Sequence, residues 1–327
     1  MDTVTQIALG ASVAAACVPK GHRRKALLIG AALGTLPDLD VFIDYGDAVD
    51  NFTYHRGFSH SLFVLTPFAI GLWYLLKRFW SPAKLAPQPW FWAIMLALIT
   101  HPLLDAHTAY GTQLFWPIQT PPVMWTTLFI IDPFYTLPLL VGALVLAVKP
   151  NGPRAYKTLV MGLVISTCYL GWSWWAKTII EHKVIANFDI ESPQTTLFTT
   201  PTPFNTLFWR AVVLKEDDYY EIYLPVFGDA KPSITTYPKN QHLLDQAQHL
   251  RPVARLNWFA QGFIKAERID NQLVIADLRM GVEPHYVFRH VVAEQGNPHW
   301  QVSPTTLLPK THNWQDVVDL LKKLSDK

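Results

Sequence analysis

The chain has 327 residues, of which 50% are hydrophobic and only 16% are charged, with 13 Trp, 12 Tyr and 18 Phe. This composition is too apolar for an ordinary soluble protein of this length and favours a membrane protein. The formal net charge of +2 gives no indication of a nucleic-acid partner, so we expect none. Cys17 and Cys168 lie in apolar runs, which favours buried thiols over a disulfide.

Apolar segments of about the length of a membrane-spanning helix recur through the first half of the chain. The six segments are residues 3–18, 26–43, 61–76, 89–108, 128–148 and 158–178. The first begins directly after Asp2 and has no basic residues before it, so we expect a retained helix and not a cleaved signal peptide. The pattern predicts an α-helical membrane domain of about six transmembrane helices over residues 1–180.

Basic residues concentrate in alternate loops between these segments. The loops after the first, third and fifth segments contain Lys20, Arg23, Arg24, Lys25, Lys77, Arg78, Lys84, Lys149, Arg154 and Lys157. The intervening loops contain only Arg56. Because short loops rich in Lys and Arg stay in the cytoplasm, this pattern predicts a multi-pass protein whose N-terminus and C-terminal segment lie outside the cytoplasm.

The composition changes near Asn187, within a proline-containing linker that we place at residues 181–206. Alternating β-branched and aromatic runs follow and predict strands. One of these runs has the pattern of a hairpin with its turn at Asp270 and Asn271. The predicted strands are 207–214, 219–227, 262–280 and 284–295, and the predicted helices are 240–251 and 314–327. We therefore expect a soluble, extracytoplasmic α+β domain over residues 207–327.

Residue types that bind metals gather in the segments PDLD (37–40), HRGFSH (55–60) and THPLLDAH (100–107). By the predicted topology, these segments all lie at the outer ends of helices or in outer loops. His101 and Asp105 are four residues apart, so on a helix they point to the same side. The mixture of imidazole and carboxylate suits zinc, with manganese or iron as alternatives, and contains too much nitrogen for magnesium or calcium. The convergence of these segments predicts a metal site.

Two of these segments have local features that shape the site. Pro37 and the two aspartates of PDLD predict a broken turn, which brings Asp38 and Asp40 onto one ion or gives each to a different ion. In HRGFSH, Gly57 permits a tight turn between the two histidines. Arg56 is a planar cation that suits a phosphate or a carboxylate.

The roles of Asp2, His107 and Asp132 stay open at this stage. Asp2 begins the first segment on the same side of the membrane as the other acidic residues. His107 is six residues from His101 and shares its side only if the helix has ended by then. Asp132 is either a helix cap ahead of Pro133 or a partner that orients a ligand histidine.

These motifs resemble the bacterial membrane-bound metal-dependent hydrolases, inner-membrane proteins of the YdjM and YbcI type. The resemblance covers about residues 1–180, and its pieces are MDTVTQIALG at the start, PDLD, HRGFSHS and HPLLDAHTAYGTQLFWP. It implies a metal-dependent hydrolase in the bacterial cytoplasmic (inner) membrane, with motifs similar to those of zinc-dependent phospholipase C enzymes. The chain departs from the family at Gln6, where the family pattern often has His. The metal ligands that the resemblance implies are Asp38, Asp40, His55, His60, His101 and Asp105.

Together these residues predict metal-assisted hydrolysis, in which a metal polarises a phosphoryl or acyl oxygen and lowers the pKa of a water molecule. Asp40 or Asp105 takes the proton of that water, and Arg56 holds the substrate anion. Because the predicted site lies at the level of the outer lipid headgroups, we expect a phosphoester or lipid-derived substrate, with small molecules and membrane lipid as partners.

Two other classes of protein fit the same residues. In an ion or solute transporter the ligands form an ion path, although transport sites tend to lie near the bilayer midplane between broken helices. In a non-catalytic scaffold the metal only staples the helices, and it is closed to solvent with four protein ligands. An enzyme requires an accessible site.

Overall fold

The computed structural model describes residues 1–187, 196–228, 232–296 and 299–309. A helical N-terminal region is followed by a β-sheet-rich C-terminal domain. The chain forms two compact units, and both combine segments that are distant in sequence. The first unit comprises Met1–Asp44, Tyr54–Ile179 and Thr200–Thr206, and the second comprises Tyr45–Thr53, Ile180–Thr199 and Leu207–Lys327.

The helices of the N-terminal region follow the apolar segments of the sequence. They are α1 Thr3–Cys17, α2 Arg23–Thr35, α3 Ala48–Tyr54, α4 Leu62–Phe79, α5 Ser81–Leu85, α6 Pro87–Asp105, α7 Pro133–Val148 and α8 Pro153–Asn187. Asp2 caps α1, because its side chain accepts hydrogen bonds from the backbone amides of Val4 and Thr5. Asp132 caps α7 in the same way, and it also accepts a hydrogen bond from Tyr169.

The prediction of six membrane spans is wrong on helix length and composition. Among the described residues only α4 and α8 are long and apolar enough to cross a bilayer. The apolar helices α1 and α7 have 15 and 16 residues, and α2 has 13 residues and begins with three basic ones. Only 11% of the apolar window of α4 is buried, so this helix presents most of its apolar side chains outward.

Helices α1 and α2 cross at three glycines. A Cβ atom on Gly10 would lie 2.3 Å from the carbonyl oxygen of Gly30, and one on Gly34 would lie 2.5 Å from the carbonyl oxygen of Gln6. Only glycine permits such a close approach of two helix backbones. The crossing brings Gln6 of α1 and Gly34 at the end of α2 close together.

The described residues of the C-terminal domain form two four-stranded sheets and a short two-stranded one. The strands are β1 Leu197–Pro201, β2 Phe208–Leu214, β3 Asp218–Pro225, β4 Ser233–Pro238, β5 Ile264–Ile269, β6 Gln272–Asp277, β7 Gly281–Val282, β8 His285–Tyr286, β9 Arg289–Gln295 and β10 Trp300–Leu307. The sheet orders are β1-β2-β3-β4, β10-β9-β6-β5 and β7-β8. The predicted hairpin is confirmed, since Ile269 pairs with Gln272 and Asp270 has a φ of +52° in the turn.

Two helices accompany these sheets, α9 Gln241–Ala247 and α10 Arg251–Ala260. The helix predicted over 240–251 corresponds to α9, which ends at Ala247. The helix predicted over 314–327 lies outside the described residues.

A segment from the first half of the chain, residues 45–53, belongs to the core of the second unit. The ring of Phe52 packs 4.9 Å from Phe259 and 4.4 Å from Phe288, measured between ring centroids. Arg251 donates two hydrogen bonds, of 2.8 and 2.9 Å, to the carboxylate of Asp50. The sequence had indicated only an outer loop at this position.

Candidate metal centre

Four side chains of the first unit bring ligand atoms to one point. These side chains, which we call the His/Asp cluster, are Asp38, His60, His101 and Asp105, and one ligand atom from each lies within 4.8 Å of the others. The two Nε2 atoms of His60 and His101 are 3.1 Å apart. Asp38 Oδ1 lies 3.4 Å from both Nε2 atoms, and Asp105 Oδ2 lies 3.2 Å from that of His60 and 3.4 Å from that of His101.

Short local elements place these four side chains. Asp38 lies on a 3-10 helix, Pro37–Phe42, that follows α2 directly. His60 ends a second 3-10 helix, Phe58–His60, which begins after Gly57. His101 and Asp105 lie one turn apart on the last part of α6. The i,i+4 pair predicted from the sequence is therefore confirmed as a shared helix side.

The hydrogen bond made by Nδ1 fixes the tautomer of each cluster histidine. His101 Nδ1 lies 2.6 Å from the carbonyl oxygen of Gly34, and because a carbonyl only accepts, Nδ1 carries the proton. The Ser59 hydroxyl donates to Asp40 Oδ2 at 2.5 Å, so it accepts from His60 Nδ1 at 2.9 Å. Both Nε2 atoms are therefore lone-pair acceptors in the neutral rings, and they face each other.

Asp105 is fully buried, and its two oxygens have different surroundings. Oδ1 accepts a hydrogen bond of 3.0 Å from the Gln6 side-chain amide and also contacts the Met1 nitrogen. Oδ2 has no hydrogen-bond partner among the described residues, although the Arg56 Nε atom lies 3.4 Å away. The Arg56 guanidinium supplies a charge beside this oxygen but no hydrogen bond, so Oδ2 keeps a lone pair directed into the cluster.

This donor set fits a divalent metal ion. The four converging atoms are all acceptors, two imidazole nitrogens and two carboxylate oxygens, which is a set that zinc accepts. In a tetrahedral site with bonds of about 2.0–2.1 Å, neighbouring ligand atoms lie roughly 3.3–3.4 Å apart. Five of the six separations, at 3.1 to 3.4 Å, match that spacing, and the sixth, between Asp38 and Asp105, is at most 4.8 Å. Each histidine also donates its other N–H to a protein acceptor, as metal-binding histidines usually do.

The structure does not bring the other two predicted ligands, Asp40 and His55, into the cluster. Asp40 Oδ1 pairs with His55 Nδ1 at 2.8 Å, and Asp40 Oδ2 accepts from the backbone amide of Arg56 and the hydroxyl of Ser59. The reason is local geometry: Asp38 and Asp40 are two residues apart on a 3-10 helix of three residues per turn, so they point in different directions. Asp40 connects His55 to Ser59 instead.

The predicted catalytic roles of Asp105, Asp40 and Arg56 meet three different environments. Asp40 has both carboxylate oxygens in hydrogen bonds, whereas Asp105 has only Oδ1 hydrogen-bonded and directs Oδ2 into the cluster. The predicted role of either residue as a base stays a prediction. Arg56 is buried, has a φ of +61°, and extends its guanidinium toward Asp105 and Thr108, with Tyr110 beneath it at 5.0 Å. The structure thus places Arg56 behind the cluster as a partner of Asp105.

The remaining open residue, His107, lies apart from the cluster. Its Nδ1 donates to the carbonyl of Leu103 at 2.8 Å, and its Nε2 accepts from the indole of Trp174 at 3.3 Å. The His107 ring is buried and packs 4.7 Å from that of Trp125, measured between ring centroids. His107 is a structural histidine.

Sequence reasoning missed the residues that support the cluster. Ser59 and the carbonyl of Gly34 each contact a cluster residue. Gln6, which the sequence marked only as a departure from the family pattern, contacts Asp105. Ser59 lies inside the HRGFSH motif, so its position next to His60 was a usable signal. The contact of Gly34 with His101 depends on tertiary packing and has no local signal.

The fold and the site define a class: a helical protein with two candidate membrane spans and a His/Asp cluster that can bind a metal ion. Residues 1–180 match the YdjM inner membrane protein family, and the chain belongs to that family. The chain is 27% identical over 141 residues to the uncharacterized protein YfhP of Bacillus subtilis (strain 168). The matched region covers 41% of this chain and 42% of that relative. No solved structure matches the chain significantly.

Proposed function

We propose that this protein is a membrane-bound metal-dependent hydrolase that acts on a phosphoester or lipid-derived substrate at the outer face of the cytoplasmic membrane. The observation that carries the proposal is the convergence of two imidazole nitrogens and two carboxylate oxygens, all of which are acceptors when both rings are neutral. Such an arrangement favours the binding of a cation, because the four atoms cannot form hydrogen bonds with one another. Zinc is the first choice of metal, followed by manganese or iron.

The chain's residues would divide the work as follows. His60, His101, Asp38 and Asp105 hold the ion, which when bound supplies Lewis acidity and lowers the pKa of a water molecule. Asp38 has a side chain that is 24% exposed, whereas the other three are fully buried, so substrate reaches the cluster past Asp38. The Arg56 guanidinium holds Asp105 in place through charge attraction across 3.4 Å.

The proposed location rests on the loop charges. It extends the sequence-based expectation that ten basic residues in alternate loops mark the cytoplasmic side, an alternation that was counted over six spans, whereas the described residues contain two candidate spans. Single-cysteine variants at Asp44 and Lys84, labelled in intact cells with a membrane-impermeant thiol reagent, test this orientation. Labelling at position 44 and protection at position 84 are expected, and the reverse pattern would contradict it.

A metal-stapled scaffold is a second candidate, favoured by one specific observation. All four converging atoms come from the protein, and four protein ligands without an open position are typical of structural zinc sites. The two functions differ in whether a small anion can join the metal. The visible spectrum of cobalt(II)-substituted protein tests whether an anion binds the metal, because this spectrum changes when a fifth or replacement ligand binds. A spectrum unchanged by phosphate or cyanide would favour the scaffold.

The test of the hydrolase begins with detergent-purified, full-length protein. About one metal ion per chain is expected, together with hydrolysis of bis(p-nitrophenyl) phosphate or a fluorescent phospholipid. Chelation should abolish the hydrolysis and added zinc or manganese should restore it. Metal-loaded protein that hydrolyses no phosphoester or lipid ester would contradict the enzymatic function while leaving the metal site standing.

A further inference from the structure

Asp40 and His55 form a hydrogen-bonded pair beside the His/Asp cluster, and metal binding leaves this pair unexplained. The distance from Asp40 Oδ1 to His55 Nδ1 is 2.8 Å. The carboxylate is 1% exposed, so it is held out of water by the surrounding turn. Its other oxygen accepts hydrogen bonds from the Arg56 backbone amide and from Ser59, which fixes its orientation.

His55 differs from the two cluster histidines in its access to solvent. Its side chain is 22% exposed, whereas those of His60 and His101 are 0% exposed. Since Nδ1 of His55 donates to Asp40, its Nε2 carries the lone pair. The ring centroid of His55 lies 6.2 Å from that of His60, which places it next to the cluster but outside the group of four ligand atoms.

We propose that His55 is the catalytic residue that transfers protons in this site and that Asp40 is the residue that positions it. This inference rests on the proposed hydrolase function and replaces the sequence-based assignment of Asp40 or Asp105 as the base. A buried carboxylate that holds the Nδ1–H of a histidine fixes the tautomer and stabilises the imidazolium that forms when Nε2 takes a proton. Asp40 and His55 have this arrangement.

The proton and electron pairs balance in a phosphodiester hydrolysis. His55 Nε2 accepts a proton from the attacking water, and the electron pair of the broken O–H bond forms the new bond from oxygen to phosphorus. The bond between phosphorus and the leaving alkoxy oxygen breaks, and its electron pair stays on that oxygen. The leaving oxygen takes a proton from a solvent water, and the imidazolium of His55 gives its Nε2 proton to the hydroxide that remains, which restores the neutral ring and releases an alcohol.

The first experiment separates a proton carrier from a metal ligand without measuring activity. Metal content of full-length protein is measured for His55→Ala, with His60→Ala as the matched control from the same loop. We expect His55→Ala to retain the wild-type metal content and His60→Ala to lose it. Loss of metal from both variants to the same extent would make His55 a ligand and overturn the proposal.

The second experiment measures hydrolysis of bis(p-nitrophenyl) phosphate by the metal-loaded variants. We expect His55→Ala to lower kcat by about 10²–10⁴-fold with KM little changed, as for removal of a general base. Added imidazole should restore part of the rate in His55→Ala, because this variant lacks only a proton carrier. It should not restore the rate in His60→Ala, because that variant lacks a metal ligand. A full rate in metal-loaded His55→Ala would overturn the proposal.

The positioning role of Asp40 has its own readout. Asp40→Asn, assayed at saturating metal, should lower kcat while KM stays near the wild-type value, and Asp40→Glu should recover part of the loss. An Asp40→Asn enzyme with wild-type kcat would overturn this part. If wild-type protein binds metal but hydrolyses nothing, the hydrolase function has failed, whereas an active wild type with a fully active His55→Ala variant means that only this inference has failed.

Discussion

The two units each bury a group of polar side chains, and the two groups differ in how their hydrogen bonds are satisfied. In the second unit, Arg210, Glu221, Tyr219, Tyr286, Glu283 and Lys265 form a group that we call the tyrosine network. Arg210 Nε donates to Glu221 at 2.9 Å, Lys265 donates to Glu283 at 2.6 Å, and the hydroxyls of Tyr219 and Tyr286 are 2.9 Å apart. Each cation in this network has a carboxylate partner.

The His/Asp cluster of the first unit has the opposite balance. Its four converging atoms are acceptors, and Asp105 Oδ2 has no donor among the described residues. A network in which donors and acceptors match stabilises a fold by itself, whereas a surplus of acceptors at one point favours the binding of a cation, and Arg56 and the Met1 nitrogen contact Asp105 only from outside the four converging atoms. The comparison shows that counting donors and acceptors separates a ligand site from a structural network when both are equally buried.

The largest expected effect is the loss of metal when a cluster histidine is removed. His101→Ala deletes one of four ligands and should lower the metal content of purified protein more than about tenfold. His107→Ala is the matched control, since this buried histidine lies on the same stretch of chain and does not contact the cluster. Elemental analysis of both proteins provides the measurement. Equal metal content in the two variants would remove the distinction between the polar groups.

Breaking the tyrosine network should have a large effect on stability and none on metal. Arg210→Ala leaves the carboxylate of Glu221, which is 4% exposed, without its charged partner. Loss of one member of a buried ion pair costs about 3–5 kcal/mol. Hydrogen exchange of the β2 and β3 peptides, measured by mass spectrometry in increasing urea, reports this loss. The double variant Arg210→Met with Glu221→Leu should be less destabilised, because no buried charge is left unpaired.

A buried histidine of the second unit provides a contrast to the cluster histidines. Burial lowers the pKa of His290 to about 4, against the opposing effect of Asp277 and Asp47. Its ring lies 5.1 Å from that of Phe52, and its Nδ1 has no hydrogen-bond partner among the described residues. His290 is therefore kept neutral by its apolar surroundings and not by a metal.

The sign of the resulting pH dependence follows from this lowered pKa. Between pH 6.5 and about 4 the unfolded chain binds more protons at His290 than the folded one, so stability falls as the pH falls through that range. A difference of this size corresponds to about 3 kcal/mol. His290→Gln should remove this part of the pH dependence, as measured by urea unfolding at pH 7, 5.5 and 4.5. An unchanged pH dependence in His290→Gln would assign it to other groups.

The sequence predicted the cluster better than it predicted the spans. His101 and Asp105 could be paired because helical spacing puts residues four apart on one side, and this requires no tertiary information. The predicted number of spans was too high, because two of the apolar segments included residues 36–43 and 128–132, where no α-helix forms. Prolines at positions 37 and 133 mark those boundaries, so helix-start signals carried information that mean hydropathy did not.

The division of labour between Asp38 and Asp40 could not be read from the sequence. It depends on whether PDLD forms an α-helical turn, a 3-10 helix or an extended segment, and each geometry directs the two carboxylates differently. The role of Phe52 was equally hidden. An aromatic residue in a loop becomes part of a core only through contacts with residues about 200 positions later, such as Phe259.

The smallest expected effect concerns the support of the cluster and not its ligands. Ser59→Ala removes the acceptor of the His60 Nδ1–H at 2.9 Å and the donor to Asp40 at 2.5 Å, but it deletes no converging atom. Loss of such a supporting contact typically weakens metal affinity about 10–100-fold. Competition with a chelator of known affinity measures the change, and Ser61→Ala is the control, because Ser61 donates to the Trp116 carbonyl and not to the cluster. An affinity in Ser59→Ala equal to that of the control would mean that Gly57 and the 3-10 turn alone orient His60. A loss confined to Ser59→Ala would show that the hydrogen-bond chain from Asp40 through Ser59 to His60 belongs to the site.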